Sequence, residues 1–160
     1  MKVAFNLNGY RNRLAKELKK LATEEQTKRL LEYAPKMLNQ AYNERTFSND
    51  TFNLADSYVW VVYYKGVPQG SGYLWNNRVA TLDADYHHTK INGRQLAQEF
   101  AYKYQPSSNG WEVVWAATAP YSMCLESGTS RGQFYVITSI YDKIVTDFGG
   151  NAKVNKIISY

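Results

Sequence analysis

The sequence predicts an α+β fold: a single domain with a twisted, mostly antiparallel sheet packed with a long N-terminal helix and a C-terminal helix. Three observations predict it. Apolar positions Leu14, Leu18 and Leu21 recur at spacings of four and three among Arg, Lys and Glu, as an amphipathic helix requires. Two runs, Ser57 to Tyr64 and Trp111 to Ala117, are dense in β-branched and aromatic residues that suit a pleated surface. Near the end, Phe134, Ile137, Ile140, Tyr141, Ile144, Val145 and Phe148 mark one helix face, closed by Gly149-Gly150, because glycine accepts the left-handed conformation at a helix C-terminus.

The N-terminal arm, residues 10–43, reads as bent. Thr23-Glu24-Glu25-Gln26 has the pattern of a capping box, so a second helical stretch is expected to start there and run through Leu30, Leu31, Ala34, Leu38 and Ala41. Pro35 removes a backbone donor and clashes with the carbonyl four residues back, which predicts a kink or break near Tyr33 to Ala34. Thr46 to Asn53 reads as loop.

After Tyr64, the Gly- and Pro-containing stretch Lys65 to Gly72 is expected to break the strand, with Tyr73-Leu74-Trp75 returning through a loop longer than two residues. Val79 to Leu82 is a candidate short strand, and Asp83 to Asn92 is polar and poorly patterned. Gly93 to Tyr104 has helical spacing, with Phe100 and Tyr104 four apart. Pro106 to Gly110 is a turn by composition. The tail from Asn151 to Tyr160 alternates weakly and reads as a late strand or docking arm. The sheet region is therefore 57–117, with residues 76–110 set between hairpin and final strand, and the C-terminal helix is 134–148.

At 160 residues the chain, 1–160, is long enough for one core without disulfides or metal. Cys124 is its single cysteine and Met1 to Asn12 resembles no secretory segment, so folding in a reducing cytoplasm is expected. No apolar run approaches the roughly 20 residues that span a bilayer, so no membrane role is expected. The formal charge of +5 is uneven: residues 1–45 hold ten Lys or Arg against five Glu, and the remainder balances nine against nine. The basic side chains of the arm, Arg11, Arg13, Lys16, Lys19, Lys20, Lys28 and Arg29, suit nucleic acid or an acidic partner. Interspersed glutamates make a solvated helix face the simpler account. Fourteen Tyr and four Trp supply stiff contact area for strands and subunit interfaces. Tyr58, Trp60, Tyr63, Tyr73 and Trp75 are the candidate anchors.

No catalytic, cofactor-binding or metal-ligating set emerges. His87 and His88 are adjacent, with Asp83 and Asp85 just before them, but neighbours on a strand point to opposite faces. Glu112 and Glu126 are a conceivable carboxylate pair for glycoside hydrolysis, yet Glu112 opens a strand on its solvent side. Cys124 has no adjoining base and is flanked by Met123 and Leu125, as a buried small hydrophobe would be. Gly66, Gly70 and Gly72 lack the Lys-Ser/Thr of a phosphate loop. Ser122, Ser127 and Ser130 lack the context of a nucleophile elbow. The expectation is a non-enzyme.

The order of short motifs resembles the small tail-component family of bacteriophages, the tail-completion or neck proteins that join head to tail in long-tailed phages. The counterparts are the basic helix Leu14 to Leu31, Ala34-Pro35, Thr51-Phe52-Asn53-Leu54-Ala55-Asp56-Ser57 leading into a strand, Val113 to Tyr121-Ser122, Glu126-Ser127-Gly128-Thr129, and Phe134 to Phe148. Phe52 stands where the family usually has glycine, and the gap from Pro35 to Thr51 is longer than usual. The resemblance implies a structural virion protein at the neck, assembling as a homo-oligomeric ring with head-tail connector and tail proteins, made in the host cytoplasm and lying close to DNA. It singles out Leu54, Ser57, Tyr121, Glu126, Gly128 and Thr129 as motif or interface residues. The alternative is a nucleic-acid-binding accessory protein that uses the basic helix on phosphates. A small hydrolase using Glu112, Glu126 or the His87-His88 pair is the third reading, and the least supported.

Overall fold

The structure, a computed structural model, describes residues 7–46, 53–74, 84–86, 89–128, 130, 132 and 134–148. It has the expected α+β architecture in three layers. Helix α1 (Leu7–Asn43) covers one face of a three-stranded antiparallel sheet, and α3 (Gly93–Lys103) covers the other. The strands are β1 (Tyr58–Tyr64), β2 (Val67–Tyr73) and β5 (Trp111–Ala117), in the order β2-β1-β5. Strand β1 is central and buried on both faces, which is why it reads as a continuous apolar run rather than an alternating one.

Register divides its side chains. Tyr58, Trp60 and Val62 point toward α1 together with Ala117, Trp115 and Val113, their partners on β5. Val59, Val61 and Tyr63 point toward α3, where Ala116 and Val114 join Ala97 and Phe100. Helix α3, which falls inside the stretch 76–110, therefore supplies the second layer of the domain: without it the odd-numbered face of β1 loses Ala97 and Phe100.

Five expectations about local structure are corrected. Helix α1 runs 37 residues through Pro35 without a break. The body-facing residues on both sides of the proline are buried, Leu30 and Ala34 before it and Met37, Leu38 and Ala41 after it. Their packing offsets the roughly 3 kcal/mol cost of an interior proline. The Trp115 indole N–H donates to the Ala34 carbonyl at 2.9 Å, fixing the strand to the helix beside that proline.

Thr23 caps nothing. Its hydroxyl donates back to the Lys19 carbonyl at 2.8 Å, and Thr27 does the same to Thr23 at 2.7 Å, both inside one continuous helix. The β1–β2 hairpin is tight, since Tyr64 pairs with Val67 and the two turn residues, Lys65 (φ 51) and Gly66 (φ 80), both take the left-handed conformation that a two-residue connection demands. The expected loop Lys65 to Gly72 is thus largely strand. It reads as loop because Pro68 sits on an outer strand and a register shift between Val62 and Tyr63 leaves Gln69 unpaired, the usual places for both features.

Within the polar stretch 83–92, β3 (Ala84–Tyr86) pairs with β4 (Thr89–Ile91). The C-terminal helix α5 spans only Tyr141–Phe148, preceded by a 3-10 turn at Thr138–Ile140, and residues 134–137 are irregular. Trp75, the candidate strand Val79 to Leu82, the Gly149-Gly150 closure and the tail from Asn151 lie outside the described residues.

Between α1 and the sheet, α2 (Asn53–Asp56) forms a short buried turn against the start of α3. Gly93 is there because nothing larger fits: an added Cβ would lie 1.9 Å from the Asn53 carbonyl oxygen. The Gly93 N–H donates to the Asn53 side chain at 2.9 Å. Replacing Gly93 with Ala should push the two elements apart and cost at least ~2 kcal/mol, read as a lower midpoint in thermal or denaturant unfolding.

Candidate assembly surface

Glu126 and Ser127 end α4 (Ser122–Ser127), with Gly128 as its C-cap, and the orientation of this helix inverts the usual rule. Ser122 and Glu126, four residues apart, are its buried members, while Met123 and Cys124 face solvent. The expectation that Cys124 is a buried hydrophobe is therefore wrong. The reason is that Ser122 and Glu126 hold backbone groups that would otherwise be unsatisfied. The Ser122 hydroxyl donates to the Ala117 carbonyl at 2.8 Å, where β5 ends.

One oxygen of the Glu126 carboxylate accepts three successive backbone N–H groups, Val136 at 3.0 Å, Ile137 at 2.6 Å and Thr138 at 2.9 Å; the other accepts the Thr138 hydroxyl. A carboxylate facing consecutive amides at the start of a helical turn is a strong charge-assisted arrangement. It fixes the irregular segment 134–137 that delivers α5 to the body.

Tyr58 closes this network by donating its hydroxyl to the Val136 carbonyl at 2.5 Å. Burial first, and the nearby Glu126 charge second, raise the Tyr58 hydroxyl well above the usual tyrosine range. At the other end, Ser57 immediately precedes β1. Its hydroxyl donates to the Leu54 carbonyl, and its own carbonyl accepts the Thr118 N–H and hydroxyl, both at 3.1 Å. Leu54, Ser57 and Glu126 are each at most 3% exposed, and Tyr121 packs partly buried against the same core. Leu54, Ser57, Tyr121 and Glu126 thus converge where β1 begins, β5 ends and α5 is anchored, and the backbone donors that face Glu126 lie ten to twelve residues further along its own chain. Gly128 is exposed with φ 107, a backbone state that favours glycine. Thr129, like His87 and His88, lies outside the described residues.

Glu112 is half-buried rather than solvent-facing. It accepts the Tyr104 hydroxyl and the Ser107 N–H, the latter at 2.6 Å, so its carboxylate closes the turn before β5. It is not paired with Glu126. Among the described residues no group of three or more His, Cys, Asp or Glu is arranged to hold a metal ion. None of the described helices is long and apolar enough to cross a membrane.

What the body leaves outside is the first half of α1. Residues 10–22 are exposed all round, including Tyr10 (67%), Leu14 (44%), Leu18 (57%) and Leu21 (60%). At about 100° per residue these side chains fall within an arc of about 80°, and the buried set Leu30, Ala34, Met37, Leu38 and Ala41 lies on the opposite side of the same helix. One helix therefore carries two apolar stripes facing away from each other, and among the described residues only the second is buried against the body. The basic residues divide as well. Arg13, Lys16, Lys19 and Lys20 share the side opposite the leucine stripe, while Arg11, Lys28 and Arg29 flank that stripe. Glutamates pair with two of these, Lys20 with Glu24 at 3.8 Å and Arg29 with Glu25 at 3.0 Å.

The stripe was legible in the sequence, but its exposure was not, because helical spacing is the same whether a face meets its own sheet or another molecule. For Glu126 the sequence allows either a backbone donor or a basic residue of a neighbouring subunit, and the structure shows backbone donors ten to twelve residues away, which no motif marks.

The chain matches no family model, no curated protein and no solved structure.

Substituting Glu126 with Ala strands three amides and a hydroxyl and should lower stability by about 3 kcal/mol, with Gln recovering part of that. Calorimetry of the two variants checks it. Alkali gives a second test. The hydroxyls of Tyr58, Tyr33 and Tyr63 are all raised, Tyr33 by burial and by its bond to Asp147, Tyr63 by burial and then Glu112. The folded state thus holds these protons more tightly than the unfolded chain. The resulting stability is fully present below the unfolded value of about 10 and is lost as pH rises above it. Denaturant midpoints should be flat across neutral pH and fall beyond pH ~10, less steeply in Tyr58→Phe.

Proposed function

We propose that this chain is a structural virion protein of a tailed bacteriophage, acting at the head-tail junction by assembling as a homo-oligomeric ring. The observation that carries the reading is the leucine stripe of α1, held out from the body on the side away from its own sheet. An exposed apolar stripe of this kind is a docking face rather than a core face. The motif order of the tail-completion proteins supports the phage setting. Glu126 and Ser57 support it indirectly, since the segments that carry the resemblance are the ones that brace the body from which α1 projects. Heterologous contacts between arm and neighbour close into a ring when the rotation between subunits allows it. Head-tail connector and tail proteins are the further partners.

The decisive experiment is native mass spectrometry of the Leu14→Ser, Leu18→Ser double variant beside the parent chain. Burying two leucines is worth about 3 kcal/mol or more, so subunit affinity should fall on the order of 100-fold, while the monomer's unfolding midpoint stays close to the parent's because both side chains are exposed within the chain. An unchanged assembly mass counts against the reading, as does absence of the protein from purified particles.

A second reading is favoured by the separate basic face of Arg13, Lys16, Lys19 and Lys20. In it the arm lies against nucleic acid as an accessory protein. Salt separates the two: phosphate binding weakens steeply between about 50 and 200 mM salt, whereas association through leucines persists.

A further inference from the structure

The sheet ends on one side in β2 and on the other in β5, and the two edges differ. Strand β2 is blunted: Pro68 has no N–H to offer, Gln69 is the extra residue of a bulge, and its side chain bonds the Val67 carbonyl at 3.0 Å. Strand β5 carries no such device. Its backbone parity follows from the ends of the ladder, where the Lys65 N–H donates to Gly110 at 2.7 Å and the Thr118 N–H to Ser57 at 3.1 Å. The even-numbered residues of β5 therefore bond β1, and the odd-numbered ones turn their N–H and C=O groups away from it. The Ala117 carbonyl is taken by Ser122. Trp111, Val113 and Trp115 keep theirs at the edge, and among the described residues β1 is the only strand beside β5.

We propose that the β5 edge is a pairing site for β5 of a second copy of this chain, joined antiparallel about a two-fold axis at Val113. The strand is self-complementary in that register. Val113 falls opposite Val113 of the second copy, and Trp111 opposite its Trp115, so each outward N–H meets an outward C=O and each such pair exchanges both bonds. The side chains agree. Trp111 and Trp115 lie on the same face of the sheet, giving a cross-strand tryptophan pair at each end of the joint. On the other face Glu112 falls opposite Val114, so no like charges meet. Glu112 is the only charged residue of β5, and Tyr104 and Ser107 already hold its carboxylate, so it does not act as the charge that guards an edge. The product is one continuous sheet, β2-β1-β5-β5-β1-β2. This contact goes beyond the ring of the preceding section and stands without the phage assignment: it uses a different surface from the leucine stripe.

The test uses the full chain in two forms. In a Cys124→Ser background, Val113→Cys places a single thiol at the two-fold axis, where mild oxidation should give a covalent dimer in high yield at concentrations at which the parent associates. Amide exchange of the unsubstituted protein gives the second readout. Val114 and Ala116 should be slow at every concentration, while Trp111, Val113 and Trp115 should become slow only as concentration rises. Three outcomes overturn the proposal. One is failure of Val113→Cys to cross-link while the protein is dimeric. Another is fast exchange at the odd positions in the associated state. The third is slow exchange at those positions in the dilute monomer, which would mean that the edge is occupied within the chain. Loss of association in the Leu14, Leu18 variant with β5 protection retained separates failure of the ring reading from failure of this one.

Discussion

Everything in this molecule is arranged around a geometric constraint on α1: one continuous helix cannot turn both of its apolar stripes toward the same sheet. Leu30, Ala34, Met37, Leu38 and Ala41 commit one side to the body. Once they are docked, Tyr10, Leu14, Leu18 and Leu21 must face away from that sheet. Continuity through Pro35 is essential to this. A break there would free the first half to rotate or fold back, and the packing on both sides of the proline, with Trp115 bonded to Ala34, prevents it.

The body is correspondingly over-braced for its size. Strand β1 is covered on both faces, Gly93 lets α3 and α2 approach to backbone contact, and Glu126 gathers the amides that begin the last helical segment. Phe148 at the end of α5 packs edge-on against Tyr33, and Tyr33 against Trp115, so the C-terminal segment locks the middle of α1 in place. Ser57 and Glu126 serve this bracing, while the leucines on one helix and the outward backbone groups on one strand edge lie outside it.

The sequence made the fold class plain because the signals that define it are local and periodic. The runs at 58–64 and 111–117 and the spacing of α3 needed no tertiary information. What stayed hidden depended on contacts distant in sequence. Pro35 and Thr23 looked like helix ends because local preference was the only guide, whereas burial on both flanks overrides it. The β2 strand looked like loop because its Pro and Gly are tolerated only at an outer edge, and edge position is a property of the whole sheet. Cys124 reads as buried because its neighbours Met123 and Leu125 are apolar, yet the side of α4 that turns inward is the one whose polar groups, Ser122 and Glu126, have backbone partners.

We propose the exposed half of α1 as a contact surface. Lys and Arg are spaced along it at positions 11, 13, 16, 19 and 20, so trypsin digestion of the intact chain reads its accessibility directly. At low concentration cleavage should fall in residues 11–20 while the braced body survives, and at concentrations where the protein assembles that cleavage should slow markedly. Equal cleavage rates in the free and assembled protein would contradict the claim.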